Sequence, residues 1–177
     1  AAAYTCPMHP EVEAPTATSC PLCGMALEPM APSLDEAENP ELVDFRRRLL
    51  VGALFTAPLL LIEMAQMTVD VYGWLSPGVA HWTELVLATP VVFWCGWPFF
   101  ERGWASLATR NFNMFTLIAL GVGAAYGFSL VATVAPGLLP EAARGVYFES
   151  AAVIVCLVLL GQVLELRARG ATGAAIR

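Results

Sequence analysis

Between Ser150 and Leu164 the sequence runs without a charge, and with Val146 to Phe148 ahead of it the apolar stretch reaches about 20 residues. At ~1.5 Å rise per residue a helix of that length crosses the ~30 Å hydrocarbon slab of a bilayer. A segment this apolar cannot be one face of a soluble helix, so it sets the class of fold. Glu149 and Glu165 stand near its two ends. As a helix they would lie about 24 Å apart along the axis. Carboxylates at the mouths of a span either reach the head-group layers or face a protein interior or a wet path.

Three further apolar runs agree with that class. The hydrophobic share is 58% and the mean hydropathy +0.65, too apolar for an ordinary soluble domain. Leu49 to Met67 follows Arg46, Arg47 and Arg48, and its far end carries Glu63 and Met64. Trp82 to Trp97 is short for a span and stops at Gly96-Trp97-Pro98. Pro98 lacks the helical donor and Gly96 is permissive, so a sharp kink is expected there. Beyond it, residues 98–110 mix Phe99, Phe100 and Trp104 with Glu101, Arg102 and Arg110. That mix suits either an amphipathic helix in the interface or a plain snorkelling end. Phe112 to Val134 begins near Met114 and carries Gly121, Gly123 and Gly127, which permit close helix contact. The expected fold is an all-α membrane protein. Its transmembrane helices cover residues 46–67, 80–97 (kinked at its end), 112–134 and 146–169, with a platform helix over 98–110.

All nine basic residues are arginine, and eight fall beside the same side of these spans; Arg144 alone falls in an outer loop. The bias places both ends in the cytoplasm of a multi-pass protein. Met114 and Glu165 then share the cytoplasmic face, and Glu149, Glu63 and Met64 share the outer face. One carboxylate and one thioether recur at each mouth, which suits a soft cation that crosses. No basic patch suggests nucleic acid.

Residues 1–30 are of another kind. Cys6 and His9 make a C-x2-H pair, and Cys20 and Cys23 a C-x2-C pair followed by Gly24. Two such knuckles can close a tetrahedral metal site. Met8 and Met25 flank the pairs and add thioethers, which favour Cu(I) or Ag(I), while zinc remains open from the spacing. A disulfide is the competing reading, and a cytosolic position argues against it. Residues 31–45 form an acidic linker, with Asn39 as the expected N-cap and Pro40 as the first helical position. Ala1 to Asp44 holds eight acids and no base.

The strings YTCPMHPEV, SCPLCGMALEP, GWPFFERGW, NMFTLIALGVGAAY and VYFESAAVIVCLVLLGQVLELRAR with TGAAIR together resemble the N-terminal part of bacterial heavy-metal-transporting P-type ATPases, specifically copper(I) exporters. The cysteine strings alone also occur in periplasmic efflux adaptors; the membrane strings decide. The resemblance implies residence in the bacterial inner membrane. It implies a cytoplasmic entrance for Cu(I) at Met114 and Glu165, and a release path at Glu149 with Glu63 and Met64 as neighbours. It implies a docking platform for a cytosolic copper chaperone at the kink of Gly96 and Pro98. It also implies actuator, phosphorylation and nucleotide-binding domains beyond Arg177, where ATP and Mg would act. These residues contain no P-loop or acylphosphate motif, so the segment alone is not expected to hydrolyse ATP. Relatives often carry two adjacent glycines at the kink, where this chain has Cys95-Gly96. Its N-terminal module also differs from the ferredoxin-like type of many relatives. Alternative readings are a silver or zinc exporter of the same class, or a free-standing membrane protein that binds and hands over copper without an ATPase.

Overall fold

The structure is a computed structural model and describes residues 4–16, 18–25, 27–30, 40–68, 77–141 and 144–175. The Asn39 cap, the linker as far as residue 39, most of the turn after the first run, and Arg177 lie outside the described residues.

The chain opens with a three-stranded antiparallel sheet, β1 (Tyr4–Thr5), β2 (Glu13–Ala14) and β3 (Glu28–Pro29), in the order β2-β1-β3. The strands are two residues long because prolines and tight turns leave no room for more. Cys6, Cys20 and Leu27 are its buried residues, with Tyr4, Val12, Ala14 and Leu22 around them. A core this small cannot hold a domain together unaided.

The rest is helical: α1 (Pro40–Thr68), α2 (Pro77–Pro90), α3 (Trp97–Ala108), α4 (Met114–Val134) and α5 (Phe148–Ala175). Among the described residues, three segments are long and apolar enough to cross a membrane: Pro40–Ala65, Met114–Val134 and Phe148–Arg169. A fourth candidate is the pair Gly78–Cys95 and Trp97–Ala108, whose axes diverge by 58°. α1 begins at Pro40, the expected first helical position, so residues 40–45 at the end of the acidic stretch are its first turns. α4 begins at Met114 because Asn113 caps it: the Asn113 side chain accepts from the Phe115 and Thr116 amides, and Thr116 answers the Asn113 amide.

The bend has a mechanism that composition does not reveal. Residues Val91–Cys95 form one wide π turn, and Gly96 N–H donates to the Val91 carbonyl at 2.9 Å. Such a turn inserts an extra residue and changes the helix direction. Gly96 is needed for closeness, since a Cβ there would lie 2.5 Å from the Val92 carbonyl oxygen. Pro98 then sits in the first turn of α3, where its missing N–H has no cost.

The bundle core runs through Leu59 of α1, Leu85 and Ala88 of α2, Val91, Val92 and Cys95 of the π turn, and Ala151, Ala152, Val155 and Leu159 of α5. Alanines on α5 let α1 and α2 approach closely, as expected where lipid removes the hydrophobic drive between helices. At one end Phe99 stacks on Phe115 and meets Phe45 at a tilt, tying the starts of α1, α3 and α4 together. Arg102 lies over the Phe45 and Phe115 rings and pairs with Glu41. The small sheet is seated at this end.

Candidate metal centre and the mouth beneath it

Cys6, His9, Cys20 and Cys23 each offer a ligand atom, and the four atoms lie within 4.8 Å of one another. Cys6 Sγ is 3.5 Å from Cys23 Sγ and 3.8 Å from His9 Nδ1; Cys20 Sγ is 3.9 Å from the same nitrogen. A tetrahedral ion with bonds of about 2.0–2.3 Å has ligand edges of about 3.3–3.8 Å, so these residues fit one. The local folding explains the convergence. Cys6 and His9 are joined by a turn in which the His9 amide donates to the Cys6 carbonyl at 3.2 Å. In the second knuckle the Gly24 amide donates to the Cys20 carbonyl at 2.8 Å and the Cys20 amide to the Met25 carbonyl at 2.7 Å. Gly24 holds φ +76°, a left-handed conformation open to glycine at no cost.

The thiols are not equivalent. Burial pushes the Cys6 thiol up, but hydrogen bonds with His9 and Cys23 and with the Met8 and His9 amides outweigh it, and it falls to about 7. Burial pushes Cys23 up to about 11, helped by its sulfur neighbours Cys6 and Cys20 and opposed by the Met25 amide. Cys6 therefore gives up its proton more readily than Cys23. Met8 is 66% exposed, while Met25 is half-buried.

The module rests on the bundle through two contacts. A Cβ on Gly24 would lie 2.6 Å from the Phe115 ring and 3.4 Å from Asn113 Nδ2, so the second knuckle presses on the turn that begins α4. Met114, between those two residues, is half exposed. On the other side Arg169 of α5 pairs with Glu28 of β3 at 3.1 Å and with Glu165 at 2.5 Å. Gln162 also donates to Glu165, at 3.0 Å. One arginine thus joins the module to Glu165, and one glycine joins it to the turn of Met114. Beside these contacts a cleft of about 460 Å³ opens between Ser19, Glu41 and Asp44 on one side and Pro98, Glu101 and Arg102 on the other.

Glu149 lies in the first turn of α5, at its opposite end from Glu165. Its Oε1 accepts from Ser150 at 2.7 Å, and its Oε2 is buried with no hydrogen-bond partner among the described residues. Glu63 is half-buried and Met64 is 62% exposed, both in the last turns of α1. The sequence reading passed over Glu84, which is 2% exposed in α2. The signal was available, because a carboxylate inside an apolar run is costly and rarely idle.

Residues 3–30 match the heavy metal binding domain family. Over 98% of its length the chain is 52% identical to a copper-exporting P-type ATPase of Legionella pneumophila and 56% identical to a copper-transporting P-type ATPase of Rhizobium leguminosarum. It is 48% identical, again over 98%, to a silver exporting P-type ATPase of Salmonella typhimurium. The chain matches the N-terminal part of copper-exporting P-type ATPases. It spans 24%, 22% and 22% of the length of these relatives. A Cys/His metal cluster and several apolar helices are what the matched segment contributes.

Proposed function

We propose that this chain is the N-terminal membrane portion of an ATP-driven Cu(I) exporter of the bacterial inner membrane, with four spans and the module in the cytoplasm. The bent pair of α2 and α3 is then one span followed by a platform helix, and α3 exposes Trp97 and Trp104 toward the interface. The arginine bias supports this orientation. The relatives, two copper transporters and a silver exporter, support the cargo. ATP and Mg act in the actuator, phosphorylation and nucleotide-binding domains of the whole protein.

The observation that carries the reading is that the module rests on the turn of Met114 through Gly24 and is tied to Glu165 through Arg169. Cu(I) leaves the thiolates of Cys6, Cys20 and Cys23 for the thioether and carboxylate at the entrance, without passing through water as a free ion. Glu165 is held by Arg169 until then. A cation arriving at that carboxylate competes with Arg169 for it, and the displaced guanidinium keeps its pairing with Glu28. A cytosolic chaperone supplies the ion from the cleft beside α3. Glu149, with its bare buried oxygen, and Glu63 and Met64 receive the ion on the outer side.

ATP-dependent copper uptake by inverted membrane vesicles carrying the full-length protein tests this. Met114→Leu and Glu165→Gln are each expected to lower uptake roughly tenfold, the equivalent of about 1.4 kcal/mol in the barrier, with the protein still folded. Normal uptake by both variants would remove the entrance assignment. Silver is the second cargo, favoured by the 48% identity to the silver exporter. Zinc at the module is the alternative for that site alone, and metal analysis of the purified protein separates the two.

A further inference from the structure

Two cysteines of the bundle are not used above. Cys95 closes the π turn and is fully buried, and Cys156 lies half-buried midway along α5. They are 61 residues apart in sequence, yet both address the same spot on α1. A Cβ on Gly52 would lie 3.1 Å from Cys156 Sγ and 3.5 Å from Cys95 Sγ. Glycine lets both sulfurs close on α1, so three helices meet at a notch in α1 that the two sulfurs face. Thr56, one turn further along α1 and 4% exposed, brings its Oγ1 to 3.2 Å from Cys156 Sγ. Both cysteines are free thiols.

A buried cysteine that only packs behaves as a small hydrophobe and fills the space before it. Here two of them, from different helices, converge on one point of α1 where a single Cβ would touch both sulfurs. Two thiolates suit a soft monovalent ion at low coordination number. Such a complex carries one net negative charge, which needs a cation nearby in so apolar a setting. Arg48, one turn before Gly52, donates to the carbonyl of Trp94, next to Cys95, and lies over the Trp94 ring. Its other partner is Asp44.

The position is also connected. Seven residues on from Thr56 is Glu63, and seven residues back from Cys156 is Glu149. Seven residues are two turns, so each carboxylate shares its helix face with the group at the notch. The seam between α1 and α5 therefore carries sulfur at one level and carboxylates about 10 Å further out.

We propose that Cys95 and Cys156, across the notch at Gly52, form a second soft-metal site that takes Cu(I) or Ag(I) as a two-thiolate complex. Binding displaces the two thiol protons. The choice of ion rests on the transport reading; the site itself rests on the convergence of the two thiols.

Silver(I) alone is the probe. The full-length protein, reconstituted without oxygen, is titrated with Ag(I) beyond the amount its N-terminal module takes up. N-ethylmaleimide modification of Cys156 is followed by mass spectrometry. Modification is expected to slow at least about tenfold, and the protection to vanish in Cys95→Ala. Gly52→Ala keeps both sulfurs and puts a methyl between them, so it is expected to abolish protection while Cys156 stays reactive. An unchanged Cys156 rate with excess Ag(I), or full protection surviving in both variants, overturns the proposal. The readout is occupancy rather than transport, so its failure leaves the exporter reading standing, and loss of transport in vesicles leaves this site standing.

Discussion

In the N-terminal module Cys6 and Cys23 are 17 residues apart and their sulfurs meet at 3.5 Å through two short turns. In the bundle Met114 and Glu165 stand on separate helices, and Cys95 and Cys156 converge only because α1, the π turn and α5 pack together. The module gathers its candidate ligands within one small fold. The bundle brings its candidate residues together only through the packing of distant helices. The module should therefore depend on its ion for stability, and the bundle should stand without one. The two contacts at Gly24 and Arg169 are where these regimes touch.

The largest effect should come from removing a module ligand. Cys20→Ser is expected to weaken the N-terminal site at least about a hundredfold, since ligand bonds supply much of the module's folding free energy. Competition with a chromophoric Cu(I) chelator measures it, and the helical circular dichroism should not change. A loss of helix would break the comparison, because it would make the bundle depend on the module.

Gly96→Ala works from the other side. Its Cβ would sit 2.5 Å from the Val92 carbonyl oxygen, an overpacking expected to cost about 3 kcal/mol. Thermal unfolding of the membrane part should shift downward while the module keeps its affinity. Gly24→Ala acts on both regimes. It forces a side chain into φ +76° and against the Phe115 ring, with a backbone cost of about 1–2 kcal/mol. The expected result is a module that still binds metal, though more weakly, and becomes more accessible to protease at its junction with α1. Arg169→Gln is the mildest change. Its ion pairs are partly exposed and worth under about 1 kcal/mol each. Copper uptake into vesicles should fall only severalfold, and raised salt should mimic the variant.

The same division explains how much could be read from the sequence. Ligand pairs two residues apart within a Pro-rich stretch have few ways to fold, so Cys6, His9, Cys20 and Cys23 could be picked out from spacing, and their ligand atoms do converge. The apolar runs around Leu49, Phe112 and Ser150 announce long helices because lipid imposes a length. The π turn is different: nothing in the composition of Val91 to Cys95 marks it. Glu28 reaching Arg169 across 141 residues, or Gly52 lying between Cys95 and Cys156, depends on side chains from distant parts of the chain. No periodicity encodes those meetings. Glu84 was legible as a charge in an apolar run, and its burial shows why such a residue merits attention.

The seating of the module beside Glu165, the proposed entrance, can be tested with one cross-link. The chain contains no lysine, and its bases are all arginine. Arg169→Lys in the full-length protein introduces an amine beside Glu28 and Glu165. Treatment of membranes with a zero-length carbodiimide, followed by peptide mass spectrometry, reads which carboxylate it joins. An amide between position 169 and Glu28 is the expected product, formed alongside any link to Glu165. Linkage to Glu165 alone, with Glu28 always free, would contradict the account and separate the module from the entrance.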